Sequence, residues 1–303
     1  MSEKQLDTKV IARDLYMEWI TNLTSKKTQL AYDRAIRNFA ASVYGKDITD
    51  MSKQDCINYR DYLIEKEYSN ATINNNLSAI SSFFNYCVEN GHLASNPMNG
   101  IKRMKVEPYG KTTMLNPATN QDAKLLKSIN LKGKNGLRDY AVIRLLISTG
   151  VRVSAIADAR IKDIVQRNGF YYLRYKNKGG TSQLKKIGNN TFAAIKAYLE
   201  DRGLVSETDY LFAPSRKNET GKFSRTAITN MIVKRAKEAN LHHITAHSLR
   251  HTSALKVLAN NGDLRDVQKH LQHKDPRITL IYIEHLQDID NDAMVDSLDD
   301  SLD

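Results

Sequence analysis

Between His242 and His285 the chain gathers seven of its eight histidines: His242, His243, His247, His251, His270, His273 and His285. Random placement over 303 residues would scatter them, so the clustering points to a working stretch. Three fragments in it have definite spacing: His247-Ser-Leu-Arg250-His251, then Leu271-Gln272-His273, then Tyr282 nine residues after His273. These residue types suit chemistry on a phosphate. A guanidinium forks onto non-bridging oxygens, an imidazole donates or moves protons, and a phenol can attack phosphorus. His247 and His251 also stand at i and i+4, which on a helix shares one face and could hold a metal. Against a metal, the intervening residues are Ser-Leu-Arg rather than the Glu-bearing spacing of a zinc protease, and Arg250 repels a cation. The expectation is no metal and no other cofactor. Tyr282 by itself is one of 15 tyrosines and gains meaning only from its company.

That company, His-x-x-Arg, Leu-x-His and a tyrosine nine residues on, resembles the second conserved box of the tyrosine recombinases, the phage integrase family. The family's other parts lie upstream in order. Thr149-Gly150-Val151-Arg152-Val153-Ser154 is similar to the first-box arginine motif. The segment from Tyr175 through Lys178-Gly179-Gly180 to Ile187 is similar to the lysine-bearing β-hairpin. Four ordered elements over about 130 residues are far more specific than any one alone. The resemblance implies a DNA strand transferase that cuts through a 3′-phosphotyrosine. It assigns Tyr282 as nucleophile, Arg152 and Arg250 to the phosphoryl oxygens and His247 as proton acceptor. Lys178 becomes the donor to the 5′-oxygen, and His273 a hydrogen-bond donor to phosphate. Lys176 is the nearest rival to Lys178, while Lys185 and Lys186 are assigned to the DNA backbone. Two departures stand out. The usual Arg-x-Ser-Glu-Leu is Arg152-Val-Ser-Ala155-Ile156, with Asp158 or Asp163 as candidate replacements for the missing acid, and the usual Leu-Gly-His carries Gln272.

The bulk of the chain agrees with a polyanion partner. Net charge is +11, yet residues 286–303 hold seven aspartates and no Lys or Arg, so the remainder carries +18. A basic body of that kind suits double-stranded DNA. No run is long and apolar enough for a bilayer, and the start, Met-Ser-Glu-Lys-Gln, lacks a signal peptide's apolar core. Cys56 and Cys87 both sit in helical patterns, against a disulfide framework. A cytoplasmic, nucleoid-associated protein with no membrane partner is expected.

The elements that must position these residues are mainly helical, with a small β-hairpin or sheet. Residues 1–106 read as a helical unit, the SAM-like core-binding domain that the resemblance implies; 107–285 read as a mixed α/β catalytic domain. In the first, Thr24 and Ser25 can cap a helix reaching Val43, with Ile36, Phe39, Ala40 and Val43 on one side. A second helix begins near Ser52 with Cys56, Tyr59 and Leu63 inward. In the third, Ile73, Leu77, Ile80, Phe84 and Cys87 step by 4, 3, 4, 3, one apolar stripe. Thr72, Asn74, Asn75 and Asn76 open its other face, suiting either phosphate and base-edge contacts or a capping and turn role. Gly91 and Asn96-Pro97 end it. Residues 101–113, with Lys102, Arg103 and Lys105, read as a basic linker bound for DNA.

In the second domain, Gln121–Ser128 has helical character, and Arg138–Ile147 reads as a buried helix closing at Gly150, where positive φ is tolerated. Arg152 then starts a short helix whose N–H groups also favour an anion. Residues 170–175 and 183–187 are β-prone runs about a Lys-Gly-Gly turn. Helices follow at about 191–200 and 224–239, the latter offering Lys234, Arg235 and Lys237 to phosphates. His247–Leu258 and Asp263–Leu271 are the last clear helices before Asp275-Pro276 starts the tyrosine helix. Residues 286–303 are either a disordered acidic end or, with Ile289, Met294, Val295, Leu298 and Leu302 to bury, a segment docking on a neighbouring subunit.

The functional expectation is a compact, Xer-like or transposon-resolving recombinase: a homo-tetramer joining two duplexes at inverted-repeat core sites, with room for accessory DNA-bending proteins. It would integrate, excise or resolve a mobile element or replicon dimer. The alternatives are a type IB topoisomerase-like or telomere-resolving strand transferase, and a catalytically idle DNA-binding regulator.

Overall fold

The computed structural model describes residues 3–43, 45–47, 50–106, 120–177, 180–203, 205–215, 221–260 and 262–272, with the side chains of 3–12 left aside. The chain divides into two compact units, Met1–Gly110 and Lys111–Asp303.

The first unit is a helical bundle of α1 (Glu3–Asn22), α2 (Lys26–Ser42), α3 (Lys53–Glu65) and α4 (Asn70–Glu89). Ser25, Ser52 and Ser69 each cap the helix that follows, accepting a backbone N–H three residues on. Every residue of the expected α4 stripe is buried, as are Cys56, Tyr59 and Leu63 of α3. Ala40, expected inward on α2, is exposed instead; Ala35 takes that place beside Ile36 and Phe39. Helix α1 has no counterpart in the sequence reading, because its apolar residues are spread around the helix rather than gathered on one face. It is held by tertiary packing: Trp19 is 3% exposed, lies 5.1 Å from the Phe83 ring and stacks on Tyr32. Cys56 and Cys87 are free thiols, and burial pushes them up to about 12 and about 11.

Residues 101–106 differ from expectation. They belong to the first unit rather than to a linker, since Ile101 is buried and Met104 packs on the same core. Asn74 clamps them with both ends of its amide: Met104 N donates to Oδ1 at 2.9 Å, and Nδ2 donates to Met104 O at 2.8 Å. Asn70 adds a bond to the Lys105 carbonyl at 2.7 Å. The remainder of the expected linker, 107–113, lies outside the described residues.

The second unit is built around α6 (Gly136–Thr149), where Ala141, Val142, Ile143, Leu145 and Leu146 are all fully buried. Such near all-round burial marks a core helix rather than an amphipathic one. Around it stand α5 (Gln121–Lys127), α7 (Val153–Asp158), α8 (Asn189–Arg202), α9 (Arg225–Glu238), α10 (Ala246–Ala259) and α11 (Leu264–Leu271). The expected hairpin is present as β2 (Phe170–Lys176) and β3 (Ser182–Ile187), running from Tyr171 opposite Ile187 to Lys176 opposite Ser182. A further strand, β1 (Ile164–Arg167), joins β2 to make an antiparallel sheet in the order β1-β2-β3. Its turn is Asn168-Gly169, both at positive φ, a two-residue hairpin signal that was legible in the sequence. Among the described residues no helix is long and apolar enough to cross a membrane.

Arg235, expected to face phosphate, is turned inward. It reaches buried Asp139 at 2.9 and 2.7 Å, and Arg138 holds the other carboxylate oxygen of Asp139 at 2.7 Å. One desolvated carboxylate is thus shared between two guanidinium groups, which is a structural use of Arg235.

Candidate active site

The site is assembled where α6 ends. Gly150 sits at φ +63, the left-handed turn that glycine adopts without strain. A Cβ there would also stand 2.7 Å from Leu271 Cδ2 and 2.9 Å from Ser253 Oγ, so the position excludes side chains twice over. The crowding exists because three elements converge on this point: the end of α6, the middle of α10 and the end of α11.

Arg250, on α10, is 5% exposed and is gripped by backbone. Its guanidinium donates to the Gly150 carbonyl and, at 2.9 Å, to the Leu271 carbonyl. Arg152 stands at the position just before α7, exposed and in extended backbone two positions beyond Gly150. His247 lies in the first turn of α10, which Thr245 and Ser248 close as a reciprocal capping box. The His247 imidazole is held below its ordinary pKa by desolvation first, then by the charges of Arg250 and Arg152. The charges of both Arg250 and Arg152 thus reach the His247 ring. The depression also leaves His247 neutral near pH 7, the form that accepts a proton. His251 stacks edge-on beneath it, with ring centroids 4.3 Å apart and an 85° angle. Among the described residues no group of three His, Cys, Asp or Glu side chains could hold a metal.

Neither candidate replacement for the missing acid serves Arg152. Asp158 is paired with Lys222. Asp163 accepts from the Arg160 backbone at 3.0 Å and from Arg174 at 3.3 Å. Ala155 itself is buried in the core, 6% exposed. Lys178, His273 and Tyr282, with Asp275-Pro276 and the acidic end 286–303, lie outside the described residues. The strands on either side of Lys178 are described as far as Asn177, whose carbonyl and side chain accept bonds from Gly180 and Thr181.

Lys185 is not where the sequence reading put it. It is 9% exposed, and its ammonium donates to the His270 carbonyl and lies 3.1 Å from His270 Nδ1. His270 Nε2 in turn meets Ser253 Oγ at 2.7 Å. Burial, and then the nearby Arg250 charge, lower Lys185 to about 8; burial, Lys185 and Arg250 lower His270 to about 4. The signal for Lys185 was present, because strand alternation puts it on the face of buried Ile187. His270 and Ser253 carried none. Lys186, on the other face, lies 3.6 Å from the centroid of the Phe170 ring. Lys176 is exposed.

The remaining expected DNA contacts divide. Asn75, Lys102, Arg103, Lys105 and Lys234 are exposed. Thr72 bonds the capping Ser69 hydroxyl at 2.8 Å, Asn76 donates to the Thr72 carbonyl at 2.9 Å, and Asn74 is the clamp described above. All three side chains are thus engaged in bonds within the first unit.

Known proteins share this chain's sequence pattern and fold. Residues 118–288 match the phage integrase family, and residues 15–91 match its N-terminal SAM-like domain. The chain is 32% identical over 272 residues to the tyrosine recombinase XerC of Pelobacter propionicus, covering 88% of this chain and 87% of that one. It is 28% identical over 269 residues to the tyrosine recombinase XerD of Listeria monocytogenes, covering 85% and 88%. Among solved structures, a lambda integrase dimer bound to a COC′ core site superposes with a TM-score of 0.70 at 18% identity, covering 92% of this chain and 93% of that one. The Tn1549 transposon integrase in complex with circular intermediate DNA gives 0.69 at 19%, covering 89% and 94%; these two likenesses establish the fold. The chain belongs to the phage integrase family, and is an enzyme of the tyrosine recombinase class, a site-specific DNA strand transferase.

Proposed function

We propose that this chain cuts and rejoins DNA at an inverted-repeat core site through a tyrosyl intermediate, working as a homo-tetramer on two duplexes in the cytoplasm. The observation that carries the reading is the buried Arg250, held by the Gly150 and Leu271 carbonyls beside Arg152 and His247. A guanidinium oriented before substrate arrives stabilises charge on phosphoryl oxygens without reorganising in the transition state. Tyr282 attacks the scissile phosphate, forming a 3′-phosphotyrosine and releasing the 5′-oxygen. Its phenol, with an ordinary pKa of ~10, needs a proton acceptor; His247, kept neutral by its cationic neighbours, takes that proton. Lys178 protonates the departing 5′-oxygen, and His273 donates a hydrogen bond to the phosphate. The phosphotyrosyl bond conserves the energy of the phosphodiester, so rejoining needs no ATP. With two arginines carrying the electrostatic task, no divalent ion is required.

The exposed Asn75, Lys102, Arg103, Lys105 and Lys234 are proposed DNA contacts, and accessory DNA-bending proteins are further proposed partners. The task is integration, excision or resolution of a mobile element or replicon dimer. A strand transferase of type IB topoisomerase or telomere-resolving kind would share this site, and relaxation of a plasmid lacking any target site would favour it.

The test is capture of the covalent intermediate. Nicked duplexes from the flanks of the gene's own locus are incubated with the protein in EDTA and denatured in SDS. An adduct mapping to Tyr282 by mass spectrometry, and lost in Tyr282→Phe, is the expected result. Duplexes that are bound without any adduct would refute strand transfer in favour of a DNA-binding regulator.

A further inference from the structure

Gln272 sits at φ +52, at the left-handed end of α11. Glycine takes that backbone freely, whereas a glutamine there is strained. A strained residue persists when its side chain earns its place, and this one does so by touching both strands of the hairpin. The Tyr175 hydroxyl on β2 donates to Gln272 Oε1, and Gln272 Nε2 donates to the Leu184 carbonyl on β3 at 3.3 Å. One residue further along β3, Lys185 grips His270. Residues 184 and 185 are therefore bonded to residues 272 and 270, which flank the Leu271 carbonyl that receives Arg250. Tyr175 lies close enough to Arg250 and Arg152 for both charges to act on its phenol, against the burial that raises its pKa. In sequence, Tyr175 precedes Lys178 by three residues and Gln272 immediately precedes His273.

We propose that Tyr175 and Gln272 form a latch between the lysine hairpin and the end of the second box, making both of them positioning residues for strand cleavage. The latch rests on the recombinase reading for its purpose but not for its existence. By joining β2 and β3 to the left-handed end of α11, it ties to the Arg250 site the strands that in sequence lead to Lys178 and the residue that precedes His273. A donor and a hydrogen-bonding imidazole serving one phosphate must be held in register to a fraction of an ångström. Glycine at position 272 would ease the turn but release the hairpin.

The experiment compares Tyr175→Phe, Gln272→Gly, Gln272→Glu and the Tyr175→Phe/Gln272→Gly double variant with the wild-type chain. Readouts are single-turnover cleavage of a nicked core duplex, affinity for that duplex, thermal midpoint, and amide exchange across residues 170–187. Tyr175→Phe and Gln272→Gly are expected to slow cleavage about tenfold, the effect of one lost orienting hydrogen bond. Affinity stays within about twofold, and the hairpin exchanges faster. The thermal midpoint of Gln272→Gly holds or rises, which a merely structural residue could not combine with slower cleavage. The double variant is no slower than Gln272→Gly, because both changes break one link. Gln272→Glu keeps the acceptor for Tyr175 but loses the amide donor to the Leu184 carbonyl, so its cleavage rate falls between wild type and Gln272→Gly. Unchanged cleavage and exchange in Gln272→Gly, or additive losses in the double variant, would overturn the latch. Faster hairpin exchange in the variants of a wild-type chain that forms no adduct would sustain the latch and refute the recombinase reading instead.

Discussion

Replacing Lys185 by methionine removes a buried ammonium and keeps the unbranched stem that carried it. Lys185 is 9% exposed, its ammonium bonded to the His270 carbonyl and close to His270 Nδ1, with Arg250 adding repulsion. Its pKa falls from an ordinary 10.5 to about 8. Each tenfold change in proton affinity is about 1.4 kcal/mol, so holding the proton in the folded state costs about 3 kcal/mol at neutral pH. The sign follows from proton binding. Between pH 8 and 10.5 the unfolded chain keeps the lysine proton and the folded chain has lost it, so wild-type stability rises with pH there. Below pH 8 both states are protonated and the full penalty applies.

Lys185→Met escapes the penalty but leaves His270 without its donor, an opposing loss of about 1–3 kcal/mol. The constant difference between the two chains is therefore small, whereas its pH dependence is not. Urea unfolding of both proteins at intervals from pH 7.5 upward measures this directly, because every other titrating group cancels in the comparison. His270, lowered to about 4, stays neutral throughout that range. Wild type should gain about 3 kcal/mol on Lys185→Met between pH 7.5 and 10.5. A difference that stays flat to within ~0.5 kcal/mol would mean that Lys185 is hydrated in solution, and the buried network with His270 and Ser253 would be wrong.

Other consequences can be checked alongside. Gly150→Ala must adopt positive φ and press its Cβ on Leu271 and Ser253; chemical denaturation should show a loss of about 2–4 kcal/mol, with cleavage falling as the Arg250 grip shifts. Asp139→Asn leaves Arg138 and Arg235 sharing a neutral buried group, and calorimetry should register a loss of about 3 kcal/mol. His247 is depressed, so the base form persists to lower pH than in free histidine. The acid limb of the cleavage-rate profile should turn below the ordinary imidazole value, and His247→Ala should lose about 100-fold or more above that turning point, with the gap closing at lower pH. A turning point above that value would contradict the cationic site. Ellman's reagent should find Cys56 and Cys87 inert until the chain unfolds, since both thiols are buried and raised.

What could be read without coordinates was whatever rests on local repetition or short spacing. The α4 stripe, the helix starts at Ser25 and Ser52, the Gly150 turn and the β2-β3 hairpin all follow from periods and turn chemistry acting over a few residues. The choice of Arg152, His247 and Arg250 came instead from the resemblance to the phage integrase family, carried by the Thr149–Ser154 and His247–Arg250 motifs in their order along the chain. Tertiary structure decided the partners of each polar side chain. Lys185 and Lys186 are neighbours of one type, yet one lies buried against His270 and the other lies against an exposed ring, since strand alternation sends them to opposite faces. Arg235 and Lys234 looked alike on a basic helix until Asp139, 96 residues away in sequence, claimed one of them. Asn74 looked free to meet DNA until the chain returned 30 residues later and offered both halves of the Met104 peptide. Gln272 looked like a small loss of turn freedom until Tyr175 and Leu184 came within reach of its amide. In each case the residue type sets what bonds can form, and burial against a distant segment determines which of them does.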